Sequence, residues 1–173
     1  MTTRLPDAEQ LLAALLAQMR GKVEPDTGLI GIHTGGVWVA ERLHKALGLK
    51  APLGTIDIAF YRDDYGRRGL SANVRPSDIH FDVADREIVL VDDVLYTGRT
   101  IRAAMNELFD YGRPGRVMLA ALVDRGGRQL PIAPDFVGAS MTVADGEVVA
   151  LKRAPDGRLS LVVEPKPPQG GLS

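Results

Sequence analysis

The chain has 173 residues, 45% of them hydrophobic, and 21 basic against 22 acidic side chains leave a net charge of −1. That length and apolar content suit one ordinary core, and a near-neutral balance excludes nucleic-acid or membrane binding driven by overall charge, so any such partner needs a local patch. Cysteine is absent, which excludes disulfides and thiolate metal sites.

A helix is predicted first. Asp7 caps it, Gln10 stands three residues on as in a capping box, and Leu11, Leu12, Leu15, Leu16 and Met19 form one stripe ahead of Gly21. The apolar run at 11–16 has no basic flank or cleavage site and is too short to span a bilayer, so no signal peptide or membrane partner is expected and the cytoplasm is the expected compartment. Residues 29–32 read as a strand running into His33, Thr34, Gly35 and Gly36. A second helix then carries Val39, Ala40, Leu43 and Leu47 on one face and stops at Gly48.

Residues 55–61 alternate as a strand, with Ile56, Ile58 and Phe60 facing one way. From 62 to 82 the chain is polar and aperiodic, and a loop that long inside a compact domain is usually functional or disordered. The apolar run at 88–91 suits a strand buried on both faces of a parallel sheet. Helical spacing returns with Ile101, Ala104, Met105, Leu108 and Phe109, and Gly112 and Pro114 end it. Residues 117–123 form another buried strand, followed by Asp124, Arg125, Gly126 and Gly127. Short strands follow at 136–138 and 148–151, and the Asp156-Gly157 turn toward 159–163 predicts a hairpin. The expected fold is α/β: a mostly parallel sheet flanked by helices over residues 1–164, with a small β hairpin and a frayed tail at 165–173. Ligands then belong at the carboxyl ends of the strands, where the unusual loops fall.

The stretch 89–101 concentrates the chemistry. An apolar run reaches Asp92 and Asp93, a short loop follows, and a helix begins. Adjacent aspartates at a strand end are commonly just solvated. Here they leave the strand in different directions, so each can accept a hydroxyl hydrogen from a vicinal diol. Thr97, Gly98, Arg99 and Thr100 offer backbone donors, two hydroxyls and a cation to a phosphate monoester at a helix start. The pattern describes a cradle for a sugar phosphate.

These residues are very similar to the 5-phosphoribosyl-1-pyrophosphate (PRPP) motif of type I phosphoribosyltransferases. Within that family Val91-Asp92-Asp93-Val94-Leu95-Tyr96-Thr97-Gly98-Arg99-Thr100 resembles the bifunctional pyrimidine operon regulator/uracil phosphoribosyltransferase (PyrR) type. The stretches 31–36, 57–64, 122–126 and 130–132 resemble it too, in order and spacing. The resemblance implies the type I phosphoribosyltransferase fold and conversion of uracil and PRPP to uridine monophosphate (UMP) and pyrophosphate. It implies Mg²⁺ held mainly through PRPP and water rather than by protein ligands. It also implies a homodimer or higher oligomer and regulation by UMP or UTP through a pyr mRNA leader.

Residue by residue, the resemblance makes Asp92, Asp93 and Arg62 the catalytic set. Thr34, Gly35, Gly36, Asp63 and residues Val94, Leu95, Tyr96, Thr97, Gly98, Arg99 and Thr100 join the two aspartates as PRPP/UMP contacts. Arg67, Arg68 and Arg75 belong to a loop that closes over PRPP in such relatives. Phe136 and Val137 fall where an aromatic ring and a backbone edge hold the base, and Tyr96 faces the base as well. Purine-using relatives carry an acid at the Tyr96 position. A phenol releases its proton only in alkaline solution and is a poor base at neutral pH, which argues against a purine.

Four positions depart from the family pattern. His33 and Gly35 stand where a lysine and an arginine are usual, and Gly127 and Ala133 where a histidine and an arginine are usual. Arg125 and Arg128 remain as candidate RNA contacts. The alternative reading is an RNA-binding attenuation regulator with little catalysis, its PRPP/UMP pocket serving as effector site.

Overall fold

The computed structural model describes residues 4–58 and 77–168. Helix α1 (Ala8–Met19) is followed by β1 (Gly28–Ile32), α2 (Gly35–Leu47), β2 (Gly54–Ile56), β3 (Glu87–Leu95), α3 (Arg99–Phe109), β4 (Arg116–Asp124), β5 (Phe136–Ser140), β6 (Glu147–Arg153) and β7 (Leu159–Pro165). The expectations for Phe60, Arg62, Asp63, Arg67, Arg68 and Arg75 fall outside the described residues.

Five strands form a parallel sheet in the order β2-β1-β3-β4-β5, and β6 and β7 form a separate antiparallel pair. Side chains alternate across β3, so its two faces build two cores. Val89 and Val91 pack with α1, α2 and the hairpin residues Val149, Leu151, Leu159 and Leu161. Ile88 and Leu90 pack with Ile30, Ile56, Ile101, Ala104 and Leu108 on the α3 side. Each such aliphatic side chain withdrawn from water stabilises the fold by about 1.5–3 kcal/mol.

Helices α2 and α3 therefore cover opposite faces, while β1 and β3 lie side by side. The chain turns away from that pair in both directions, toward β2 and toward β4. This switch point opens a crevice at the carboxyl ends of β1 and β3, the position where open α/β sheets bind ligands.

Some local details differ from expectation. Asp7 accepts a hydrogen bond from the Glu9 amide (2.9 Å), a one-sided cap without a Gln10 partner. Strand β3 runs past the apolar segment to Leu95, because β4 continues to pair with it up to Leu95↔Asp124 while β1 stops at Val91. Asp92 and Asp93 are thus strand residues. Phe109 sits on the last turn of α3 and is 54% exposed, so it lies off the buried stripe. Pro165, expected in the tail, pairs with Glu147 inside β7.

The hairpin is docked by polar contacts as well as by its apolar face. The Glu9 carboxylate accepts from Arg42 of α2 (2.7 Å) and from the Leu159 amide (2.9 Å). Arg153 lies over the Trp38 ring, 4.9 Å from its centroid, and reaches Glu41 at 3.5 Å.

Candidate active site

Two loops face each other across the switch-point crevice. The first, after β1, comprises His33 and Thr34, joined by a cis peptide bond, and the start of α2 at Gly35 and Gly36. The second runs from Asp92 to Thr100, through the end of β3 and into α3. The helix termini distinguish these loops from the rest of the fold. Helix α1 has a capping aspartate and an acid in its first turn. Neither α2 nor α3 has a side-chain cap bond or an acidic residue in its first turn. First-turn amides with no N-cap side chain bonded to them, backed by the helix dipole, suit an anion such as phosphate or pyrophosphate; in α3 the Arg99 amide alone is taken, by Thr97 Oγ1.

The loops are in direct contact. A Cβ on Gly35 would overlap Oδ2 of Asp93 and lie 2.7 Å from its Cγ, and one on Gly36 would lie 2.5 Å from the carbonyl oxygen of Val91. At Gly36 the obstacle is backbone, so only glycine allows α2 to start this close to β3, while at Gly35 it is the Asp93 side chain. Gly35 thus carries no side chain, and the Asp93 carboxylate occupies that space.

Asp92 is 5% exposed, the one buried acid among the described residues, and its Oδ1 accepts from the Asp93 amide (2.9 Å). Oδ1 of Asp93 accepts from the Val94 amide (2.9 Å). These bonds set the direction of both carboxylates on the strand. Leu95 is buried in the α3-side core and anchors the strand end, and Val94 packs partly against the other core.

Beyond Leu95 the loop is held from behind by residues 124–132. The Thr97 carbonyl accepts from the amides of Gln129 (2.9 Å) and Leu130 (3.2 Å), and the Arg125 amide bonds the Leu95 carbonyl (3.0 Å). Thr97 Oγ1 accepts from the Arg99 amide (3.2 Å), and Arg99 Nε donates to Gln129 Oε1 (3.0 Å). Gly98, with φ of 93°, is the N-cap of α3, so Arg99 and Thr100 open the helix toward the crevice.

Tyr96 is 43% exposed, with the Arg125 guanidinium 4.0 Å from its ring centroid, a cation–π stack. A Cβ on Gly127 would overlap the edge of the same ring. Glycine at 127 therefore makes room for Tyr96. Arg125 also donates to the Glu147 carbonyl (3.1 Å), and its buried Nε finds no partner among the described residues.

Arg128 donates from all three nitrogens to the protein: to the carbonyls of Ile132 (2.8 Å) and Tyr96 (2.6 Å) and to Asp124 Oδ2 (2.6 Å). Burial acts to raise the Asp124 pKa. The Arg128 hydrogen bond, the Gly126 amide and the Arg128 charge outweigh it and hold the carboxyl below its ordinary range. Both arginines nominated for RNA contact are thus engaged around the Tyr96 loop.

The base-binding expectation for Phe136 and Val137 is corrected. Phe136 pairs in register with Ala120, well below the carboxyl end of β5, and is 4% exposed in the α1-side core. The Val137 amide and carbonyl are both taken by the Gln18 side chain (3.1 and 2.6 Å). Neither reaches the crevice. A cavity of about 360 Å³ does open at the carboxyl ends of β4 and β5, lined by Asp124, Gly126, Ser140, Met141 and Thr142. Sequence reasoning missed these last three residues, although the rule that ligands sit beyond strand carboxyl ends pointed to them.

Among the described residues no group of three His, Asp or Glu side chains is placed to hold a metal, and no helix is long and apolar enough to cross a membrane.

Comparison with known proteins agrees with this geometry. The phosphoribosyl transferase domain model matches residues 2–152. The bifunctional protein PyrR of Ralstonia nicotianae is 49% identical over 96% of this chain and 99% of its own length. That of Nitrosococcus oceani is 55% identical over 82% and 81%. Among solved structures, a purine phosphoribosyltransferase from Pyrococcus horikoshii superposes with a TM-score of 0.57 at 28% identity, covering 77% of this chain and 82% of its own. A hypoxanthine phosphoribosyltransferase from Staphylococcus aureus shares the fold at a TM-score of 0.64 and 17% identity, covering 86% of this chain and 81% of its own. The chain belongs to the phosphoribosyltransferases and, within them, to the family of the bifunctional PyrR proteins.

Proposed function

We propose that the chain transfers the phosphoribosyl group of PRPP to uracil, releasing pyrophosphate and forming UMP, and that the same pocket, occupied by UMP, makes it a regulator of pyrimidine genes. The crevice carries the reading: two carboxylates on β3 lie between two helix starts without side-chain caps, with Tyr96 on the rim.

In this reading Asp92 and Asp93 accept the ribose hydroxyls and fix the sugar. The amides and hydroxyls of Thr97 to Thr100 hold the 5′-phosphate, and Thr34, Gly35 and Gly36 face the pyrophosphate. Charge builds on an oxocarbenium-like sugar and on the departing pyrophosphate, so the protein acts by positioning and electrostatics. Uracil takes the cavity bounded by Asp124, Gly126, Ser140, Met141 and Thr142 in place of the Phe136 and Val137 platform. Mg²⁺ fits this donor set, since it takes one or two carboxylates with substrate phosphates and water, and Asp92 and Asp93 are the neighbouring hard oxygen donors. When bound it neutralises the leaving pyrophosphate. Arg62 and Asp63 complete the proposed PRPP contacts.

A panel of nucleobases with PRPP and Mg²⁺, read by pyrophosphate release, tests the assignment. Turnover with uracil alone is expected, and turnover with hypoxanthine or guanine would overturn it. For regulation, a gel shift on the chain's own operon leader RNA with and without UMP is the test. Absence of a UMP-dependent complex at low salt removes the RNA arm and leaves the enzyme.

A further inference from the structure

Resting on the phosphoribosyl-transfer reading of the crevice, the geometry points to Arg128 as a positioning residue that holds the 5′-phosphate loop in its binding shape. Its side chain is 23% exposed, and all three guanidinium nitrogens donate inward. The acceptors come from three directions: the Tyr96 carbonyl on the phosphate loop, the Asp124 carboxylate at the end of β4, and the Ile132 carbonyl on the segment behind. A planar guanidinium fork spans such a set, whereas an ammonium group on a flexible stem is a point charge.

The surrounding contacts make this one unit. Bonding Ile132 and Tyr96 together fixes the 128–132 turn, whose Gln129 and Leu130 amides hold the Thr97 carbonyl. Gln129 in turn holds Arg99, the first residue of α3. Without Arg128, the Tyr96 and Ile132 carbonyls lose their link, and the phosphate loop is backed only by the amides of Gln129, Leu130 and Arg125 while the sheet below it remains intact. The cation serves the loop's shape, and the phosphate is met by the amides that the loop presents.

The test compares Arg128→Gln and Arg128→Lys with the parental chain in uracil turnover, PRPP binding and hydrogen exchange followed by mass spectrometry. Arg128→Gln is expected to raise KM for PRPP roughly tenfold with kcat within about threefold, the loss of charge-assisted bonds that act on ground state and transition state alike. Exchange should quicken in peptides covering 96–100 and 128–132 and stay parental in β1, β3 and α1. Arg128→Lys keeps a charge beside Asp124 and should melt close to the parental temperature, yet retain the raised KM and the faster loop exchange. Parental KM and exchange in both variants would overturn the assignment, as would exchange that rises uniformly through the molecule. Should the parental chain use no nucleobase, the reading of the crevice falls, and loop exchange and PRPP binding still decide the role of Arg128.

Discussion

The two walls of the crevice are built on opposite principles. The phosphate wall, residues 96–100, is held by what is present: amides of Gln129 and Leu130, the Arg99–Gln129 bond and the three-way Arg128 clamp. The opposite wall, at Gly35 and Gly36, is held by what is missing, since a single added carbon meets Asp93 or the Val91 carbonyl. A wall made of several bonds weakens in steps as they are removed. A wall made of close approach fails abruptly, because backbone atoms have nowhere to go. Asp92 and Asp93 stand at the seam and depend on both.

The seam gives the largest expected effect. Replacing Asp92 and Asp93 together with asparagine removes two charge-assisted acceptors, each worth about 1.5–3 kcal/mol, roughly ten- to a hundredfold. Steady-state kinetics should show kcat/KM for PRPP lowered by at least one such factor, since adjacent, bonded residues do not act independently, with far-ultraviolet circular dichroism unchanged. Near-parental activity would remove the carboxylates from the mechanism. Next comes Gly36→Ala, whose new methyl meets backbone at Val91 and Asp92. Overpacking of this kind costs about 1–3 kcal/mol, so a fall of several degrees in melting temperature and loss of PRPP binding are expected together. Gly35→Ala separates the two principles. Its neighbour is a side chain, Asp93, which can turn away. Titration calorimetry should show PRPP affinity reduced several-fold while the melting temperature moves little.

Much of this was legible in the sequence for identifiable reasons. The 89–101 stretch is local: strand, carboxylates, loop and helix start follow one another, so chain order already places the ligand groups. The hairpin was legible because Asp156-Gly157 sits between two apolar runs. Phe136 and Val137 were misplaced because depth along a strand is set by register, here Ala120↔Phe136, and a partner strand is a tertiary fact. A ring aimed at the core and a ring aimed at a ligand have the same sequence pattern. The inward bonds of Arg128 were not legible for a related reason. A basic residue after a strand looks solvent-facing until its acceptors appear, and two of the three are backbone carbonyls, which carry no side-chain signature. Phe109 met the helical spacing, but spacing gives a direction and says nothing of how far the covering layer extends.

The smallest expected effect concerns the outer side of the glycine wall. Helix α2, which presents Gly35 and Gly36, is tied at its back to the hairpin through Glu9, Arg42 and the Leu159 amide. The Arg42 hydrogen bond leads the Leu159 amide in holding the Glu9 carboxyl below its ordinary pKa; burial opposes them, and the charges of Arg42 and Arg158 add to the lowering. A carboxyl whose folded pKa is depressed stabilises the fold above its unfolded value, near 4.3, and that contribution disappears as pH falls through the folded value. Asp124 shifts in the same direction, so global stability in acid reports both groups. Trp38, the single tryptophan, lies under Arg153 of the hairpin and reports docking alone. Its fluorescence should change as acid weakens the Glu9 link, ahead of loss of helical signal. Glu9→Gln keeps an acceptor for Leu159 but carries no charge, and it should shift the neutral-pH emission toward the acid form and flatten the remaining dependence. An unaltered pH profile in Glu9→Gln would place the hairpin's attachment in its apolar face, Val149, Leu151, Leu159 and Leu161, and leave the glycine wall independent of this salt link.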